Sequence, residues 1–162
     1  MTSNSIKVKF DEKDYSEEYQ VVCICSTLQD YRLSWHLNRL FDINLEKFDD
    51  FKYYSTKSKQ EILSSLFLFY DNANDLHYHL ISNRNAGQYL LPELKQVDYL
   101  LFLKGCFEKN QLEQNIKNIS NIPNVIMAYT EEFSKIKDIN ILLAELEVHN
   151  LKFYIKNDYD FS

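Results

Sequence analysis

Two pairs with metal-ligand chemistry stand out in the 162 residues: Cys23-x-Cys25 and His77-x-His79. Thiolates and imidazoles are the ligands of tetrahedral zinc. Strand residues i and i+2, however, lie about 7 Å apart, while two sulfurs on one zinc sit about 3.8 Å apart at a Zn–S length of about 2.3 Å. The cysteines fit better as small buried hydrophobes. His77 and His79 share a strand face and could reach one metal, yet they alternate with Leu76, Tyr78 and Leu80, which assigns them to the solvent face of a hairpin. No metal is expected. Nucleophilic catalysis needs a positioned base and an oxyanion donor set; there is no Gly-x-Ser-x-Gly elbow, and Cys106 with His149 is a pair in composition only.

Glycine sharpens the exclusion. The chain holds two Gly and two Pro, where average usage gives about eleven and about eight. A P-loop or dinucleotide fingerprint needs several glycines close together, and Gly87 and Gly105 stand far apart. No cofactor is implied.

A helix predicted from Leu28 to Phe41, with Ser26 or Thr27 as cap, carries the apolar stripe Leu33, Leu37, Leu40, Phe41. Tyr31, Arg32, Trp35 and Arg39 gather on its other side. Two of the three arginines and the single Trp thus share a face that simple amphipathicity leaves wet. These are the residue types of binding hot spots. Three readings stand open: packing under another element, a protein or homodimer interface, and nucleic acid with Arg on phosphate and an aromatic on a base. A formal charge of −6 and a pI near 5.2 disfavour the last.

A second polar group surrounds Leu91-Pro92-Glu93-Leu94-Lys95-Gln96-Val97-Asp98-Tyr99. Pro92 suits the first turn of a short helix, where Glu93 would meet the positive dipole end and the orphan N–H groups. Asp98 shares a strand face with Leu100 and Phe102, so its carboxylate needs a partner. Arg84 is the nearest in sequence. One reading pins the long loop to the strand through Arg84 with Asp98 or Glu93; the other makes Arg84, Glu93 and Asp98 a small-molecule site, in a sensor or an enzyme.

This segment resembles the pattern that names the IPExxxVDY family, small cytoplasmic proteins of Bacteroidota whose activity is uncharacterised. Pro92, Glu93, Val97, Asp98 and Tyr99 match, and Leu91 replaces Ile. The resemblance implies a lineage and a cytoplasmic location but no reaction, cofactor or catalytic residue.

The elements that must position these groups read as strands at Ile6–Phe10, Val21–Cys25, Phe51–Ser55, Ser64–Tyr70, Leu76–Ser82, Val97–Lys104 and Val125–Tyr129. Asp71 to Asp75 joins a hairpin, with Asn and Asp in place of glycine. Asn83 to Gln96 reads as irregular. Further helices are predicted at Phe107–Ile119 and through Ile139, Leu142, Leu143 and Leu146. Val97 to Tyr129 has the length of one strand–helix–strand crossover with parallel strands, and Lys152–Ile155 reads as a possible edge strand. The expectation is one α+β domain over residues 1–156, a mixed sheet with about three helices on one face and a C-terminal βαβ-type unit, followed by an acidic, fraying tail at 157–162. Three cysteines and a start without an apolar signal core point to a reducing cytosol, and no apolar run approaches the roughly 18 residues of a membrane span. The function expected is a non-enzymatic interaction or dimerisation module, with the small-molecule site and an RNA-associated role as alternatives.

Overall fold

Strands that are apolar at every position need cover on both faces, and this requirement organises the molecule. The computed structural model describes residues 13–156. Its elements are β1 (Tyr19–Ser26), α1 (Asp30–Phe41), β2 (Glu46–Ser55), β3 (Gln60–Asp71), β4 (Leu76–Ser82), β5 (Arg84–Asn85), β6 (Gln88–Tyr89), β7 (Tyr99–Lys104), α2 (Lys109–Ser120), β8 (Val125–Thr130) and α3 (Ile139–Lys156). Short 3-10 turns occupy Pro92–Leu94 and Phe133–Lys135. The fold is α+β. The strand expected at Ile6–Phe10 and the tail at 157–162 lie outside the described residues.

Six strands form one sheet in the order β2-β3-β4-β7-β1-β8, and every neighbouring pair is antiparallel. β7 and β8 run in the same direction, as a strand–helix–strand unit requires, but they are not neighbours. β1 takes the slot between them, pairing Val22 with Leu101 on one side and with Thr130 on the other. The sheet is therefore not mixed in its pairings.

The helices cover both faces, which corrects the one-face expectation. α3 packs through Ile139, Leu142, Leu143, Leu146 and Phe153 onto the face that carries Val21, Cys23, Cys25, Leu100 and Phe102. α1 and α2 pack through Leu33, Leu37, Leu112 and Ile119 onto Val22, Ile24, Leu80, Leu101 and Leu103. The reason is in β1 and β7, where successive residues point to opposite faces and nearly all are apolar. Burial pushes the Cys23 thiol up to about 12, so both strand cysteines behave as hydrophobes.

Local differences have local causes. Ser26 and Thr27 do not cap α1: Gln29 is the cap residue and offers no side-chain bond, while the Ser26 hydroxyl accepts from Leu28 N–H and donates to the Asn124 carbonyl. Lys152–Ile155 is not a strand, because Phe153 continues the buried stripe of α3. The segment after Asn83 holds a small hairpin, β5-β6, closed by Ala86 and Gly87 at positive φ. Asp75 takes the left-handed conformation in the β3-β4 turn at φ 53. Gly105, at φ 122, ends β7, and a Cβ there would stand 2.7 Å from the Asp75 carbonyl oxygen. No helix among the described residues is long and apolar enough to cross a membrane.

Candidate functional site

The sequence-predicted polar residues fall into two separate places. In the first, Asn83 is fully buried at the end of β4 and binds the following loop from both ends of its amide. Its Nδ2 donates to the carbonyls of Leu94 (3.0 Å) and Val97 (2.9 Å), and its Oδ1 accepts from Leu91 N–H at 2.9 Å. Asn83 N–H donates to the Asp98 carbonyl and its own carbonyl accepts from Leu90 N–H. The residue has one side-chain acceptor and two donors, and all three are used. It escaped attention in the sequence because a lone Asn beside Arg84 has no distinctive spacing.

The family-like segment then holds the neighbouring elements. Pro92 opens the 3-10 turn as expected, and Val97 is fully buried. Glu93 does not bind its own turn; its carboxylate accepts from Lys137 N–H at 3.0 Å, just before α3. Asp98 Oδ2 accepts from Ser26 N–H at 2.8 Å, where the β1-β8 register shifts. Asp98 Oδ1 lies 3.6 Å from Arg84, whose side chain is 62% exposed, so this ion pair is a weak one. Tyr99 donates its hydroxyl proton to the Leu28 carbonyl at 2.6 Å, and burial raises that phenol to about 12. Arg84 thus stands beside Asp98 and not Glu93, while the bonds that hold the loop come from Asn83. Glu93 and Asp98 are engaged by different backbone groups, Lys137 N–H and Ser26 N–H.

Ser26 and Leu28, held by Asp98 and Tyr99, are the root of α1. That helix buries Leu33, Ser34 and Leu37 and leaves Tyr31 and Trp35 more than half exposed, at 55% and 54%. Tyr31, Trp35 and Arg39 are spaced i, i+4, i+8 and form one outward ridge. The Arg39 guanidinium sits 4.8 Å from the Trp35 ring centroid, a cation–π contact, and His36 meets the same ring edge-on. Tyr31, Arg32, Trp35 and His36 line a shallow depression of about 340 Å³. Packing under another element of this chain is not what the described residues do with this ridge. Asn38 holds the far end of the helix, accepting Leu45 N–H on its side chain and receiving Asp42 and Ile43 N–H on its carbonyl.

The second polar place lies under α3, where the sequence leads one to expect a solvent face. His77 and His79 do not lie on a solvent face: α3 covers them, and His79 is 2% exposed. With Tyr19, Lys104, Glu147, Asn150 and Tyr154 they line a cavity of about 180 Å³. Glu147 Oε2 accepts from Lys104 Nζ at 2.6 Å and from Tyr19 Oη at 2.9 Å. Burial works against that carboxylate, but these two bonds and the Lys104 charge outweigh it and hold its pKa below the usual value. Burial, then the adjoining His77, lowers His79 to about 3, and its Nδ1–H donates to the Phe102 carbonyl. His77 is also lowered, by burial and then by Lys104, and its Nδ1 bonds the Tyr154 hydroxyl. Burial and Glu147 raise the Tyr19 phenol. Tyr19, His77, His79, Lys104 and Glu147 each have a structural partner, the buried Asn150 Oδ1 has none, and the network fastens α3 to β1, β4 and β7. The signal available in sequence was the 3.6-period run continuing through Phe153, which would have put a helix over the histidines.

Among the described residues no three His, Cys, Asp or Glu side chains converge as metal ligands would. Cys106 borders α2 on one face of the sheet, while His149 packs on Phe48 and Phe51 on the other, so that pair does not form. No protein-family model, curated protein or solved structure matches the chain, so these contacts are the ground on which its function is read.

Proposed function

We propose that this chain is a non-enzymatic protein-interaction module whose contact surface is the outward ridge of α1. The observation that supports the reading is the exposed Trp35 ring with Arg39 laid over it, flanked by Tyr31 and Arg32. Trp, Tyr and Arg give the largest truncation costs at interfaces, because each offers wide contact area with a directed polar group. The root of the helix is fixed by Asp98 and Tyr99, so the ridge is presented in one orientation before any partner arrives, which lowers the ordering cost of binding. Arg32 and Arg39 suit a partner with carboxylates around an apolar centre. The net acidity of the chain favours a protein partner over nucleic acid.

The small-molecule reading at Arg84, Glu93 and Asp98 loses support because Glu93 and Asp98 are committed to backbone N–H groups. The segment Leu91–Tyr99 supports placing the chain with the IPExxxVDY family, in the cytoplasm. The test is a tagged pull-down from native cytoplasm with wild type and Trp35→Ala side by side. The expected result is a partner held by the wild type and reduced at least about tenfold by the substitution. Equal recovery by both proteins, or no partner for either, overturns the proposal.

A further inference from the structure

The C-terminal helix has more apolar surface than its own fold uses. Its buried stripe, Ile139, Leu142, Leu143, Leu146 and Phe153, faces the sheet. A second stripe, Ile141, Ala144, Val148, Leu151 and Ile155, runs along the opposite side. Val148 is 66% and Ile155 70% exposed, with Ile141 and Leu151 also open to solvent. A helix on a protein surface carries one apolar stripe, and a helix that is apolar on two sides has two neighbours. The second stripe is spaced 3, 4, 3, 4, the seam of a two-stranded coiled coil, and spans about 21 Å at 1.5 Å per residue.

The charges that flank the seam identify the neighbour. Glu145 and Lys152 occupy equivalent flanking positions one heptad apart, on either side of Val148. Neither has an ion-pair partner among the described residues. Laid antiparallel on itself about the midpoint of His149 and Asn150, the helix brings Val148 level with Leu151 and Ala144 level with Ile155 of the second copy. The same operation brings Glu145 to Lys152 of the second copy, and Lys152 to Glu145. One two-fold axis thus serves four apolar layers and both charges, which is the property of an isologous interface. A parallel pairing would instead need Glu147 opposite Lys152, and Glu147 is already bound to Lys104 and Tyr19. Beside the stripe, an open cleft of about 660 Å³ between α3 and the edge strand β2 is lined by Phe51, Ala144 and Val148 together with charged residues, Glu145 and Lys152 among them.

We propose that α3 is a homodimer interface, in which two copies pair their C-terminal helices antiparallel about the midpoint of His149 and Asn150. The surface is separate from the α1 ridge. The experiment is light scattering with sedimentation on the full chain from about 1 to about 500 µM, which brackets the affinity a two-heptad contact can reach. The wild type is expected to be a dimer. Val148→Glu, at an exposed position where folding is not at stake, should give a monomer, and Lys152→Glu should raise the dissociation constant at least about tenfold by placing like charges opposite one another. The double variant Glu145→Lys with Lys152→Glu restores the pairing and should dimerise as the wild type does. Trp35→Ala should remain dimeric, which keeps this result separate from that of the α1 ridge. A wild-type monomer throughout the range, as coverage of the stripe by residues before 13 or by a different protein would give, overturns the proposal. So does a dimer indifferent to both Val148→Glu and the charge swap.

Discussion

The hydroxyl of Tyr99 donates to the carbonyl of Leu28 across 71 positions of sequence, at 2.6 Å, and so joins the first residue of β7 to the turn that launches α1. The bond is buried at both ends, and its removal leaves a carbonyl without a donor. Tyr99→Phe is expected to cost about 1–2 kcal/mol in urea unfolding. Hydrogen exchange should quicken at Leu33, whose N–H closes the first turn of α1, more than in β3. An unchanged rate there would separate Tyr99 from the presentation of the ridge.

Asp98 and Arg84 make a contrast. Asp98→Ala deprives the Ser26 N–H of its acceptor at a partly buried site and should destabilise by about 1–3 kcal/mol. Arg84→Ala removes only an exposed ion pair and should stay within about 0.5 kcal/mol of the wild type. Comparable losses from the two substitutions would make the ion pair, not the backbone bond, the fastening.

Asn83→Leu should be among the most destabilising single changes in the chain. Three buried partners, the carbonyls of Leu94 and Val97 and the N–H of Leu91, would lose their bonds together, at an expected cost of about 3 kcal/mol or more. Thermal unfolding with circular dichroism is sufficient to read it. A variant that melts with the wild type would remove Asn83 from its central place in the loop.

Gly105→Ala tests the β7 terminus by a different mechanism. The substitution adds a methyl group 2.7 Å from a backbone oxygen at a φ that L-residues rarely adopt, and the neighbouring Leu76 side chain stands at 2.8 Å. Neither the strain nor the contact is relieved without moving the β3-β4 turn. A loss of about 2–4 kcal/mol is expected, larger than that of Gly87→Ala, where the added carbon meets nothing within 4 Å.

Stability should depend on pH in mildly acidic solution. His79 titrates at about 3 in the folded chain against 6.5 when unfolded, so between those values the unfolded state holds the extra proton. Stability is intact above 6.5 and falls as pH drops, by about 1.4 kcal/mol per pH unit for one proton. His77 and His149, both lowered by burial, add to the loss with the same sign, and Glu147, also lowered, adds to it below the ordinary carboxylate range. Denaturant titrations at pH 7, 6 and 5 should show this slope, and His79→Gln should flatten it by about one proton. A stability independent of pH across that interval would show His79 to be protonated or exposed.

Much of this architecture is legible from short-range pattern. Val21–Cys25 and Val97–Lys104 declare strands covered on both faces, Leu76–Ser82 matches β4, and Asp75 replaces glycine where the turn demands positive φ. The α1 ridge is readable because three residues at helical spacing fall outside the apolar stripe. What escapes is whatever depends on packing between distant elements. His77 and His79 look like a wet face until α3 lies over them, and Asn83 is unremarkable until its three partners, 8 to 14 residues on, fold back to it. Glu93 serves a backbone group 44 positions away, and no local spacing encodes that.

The place of β1 in the sheet sets the order in which the protein can be made. Its two neighbours, β7 and β8, begin at Tyr99 and Val125, so the strand that leaves the ribosome first among those described waits for residue 104 before one side is paired and for residue 130 before both are. Before residue 104 a strand of Val, Ile and Cys has two open edges, while β2, β3 and β4 close on one another as consecutive hairpins. Such long-range closure folds slowly. A nascent chain that ends before about residue 104 would present β1 to chaperones instead of to a partner strand, and truncation within β8 would leave β1 as a permanent open edge.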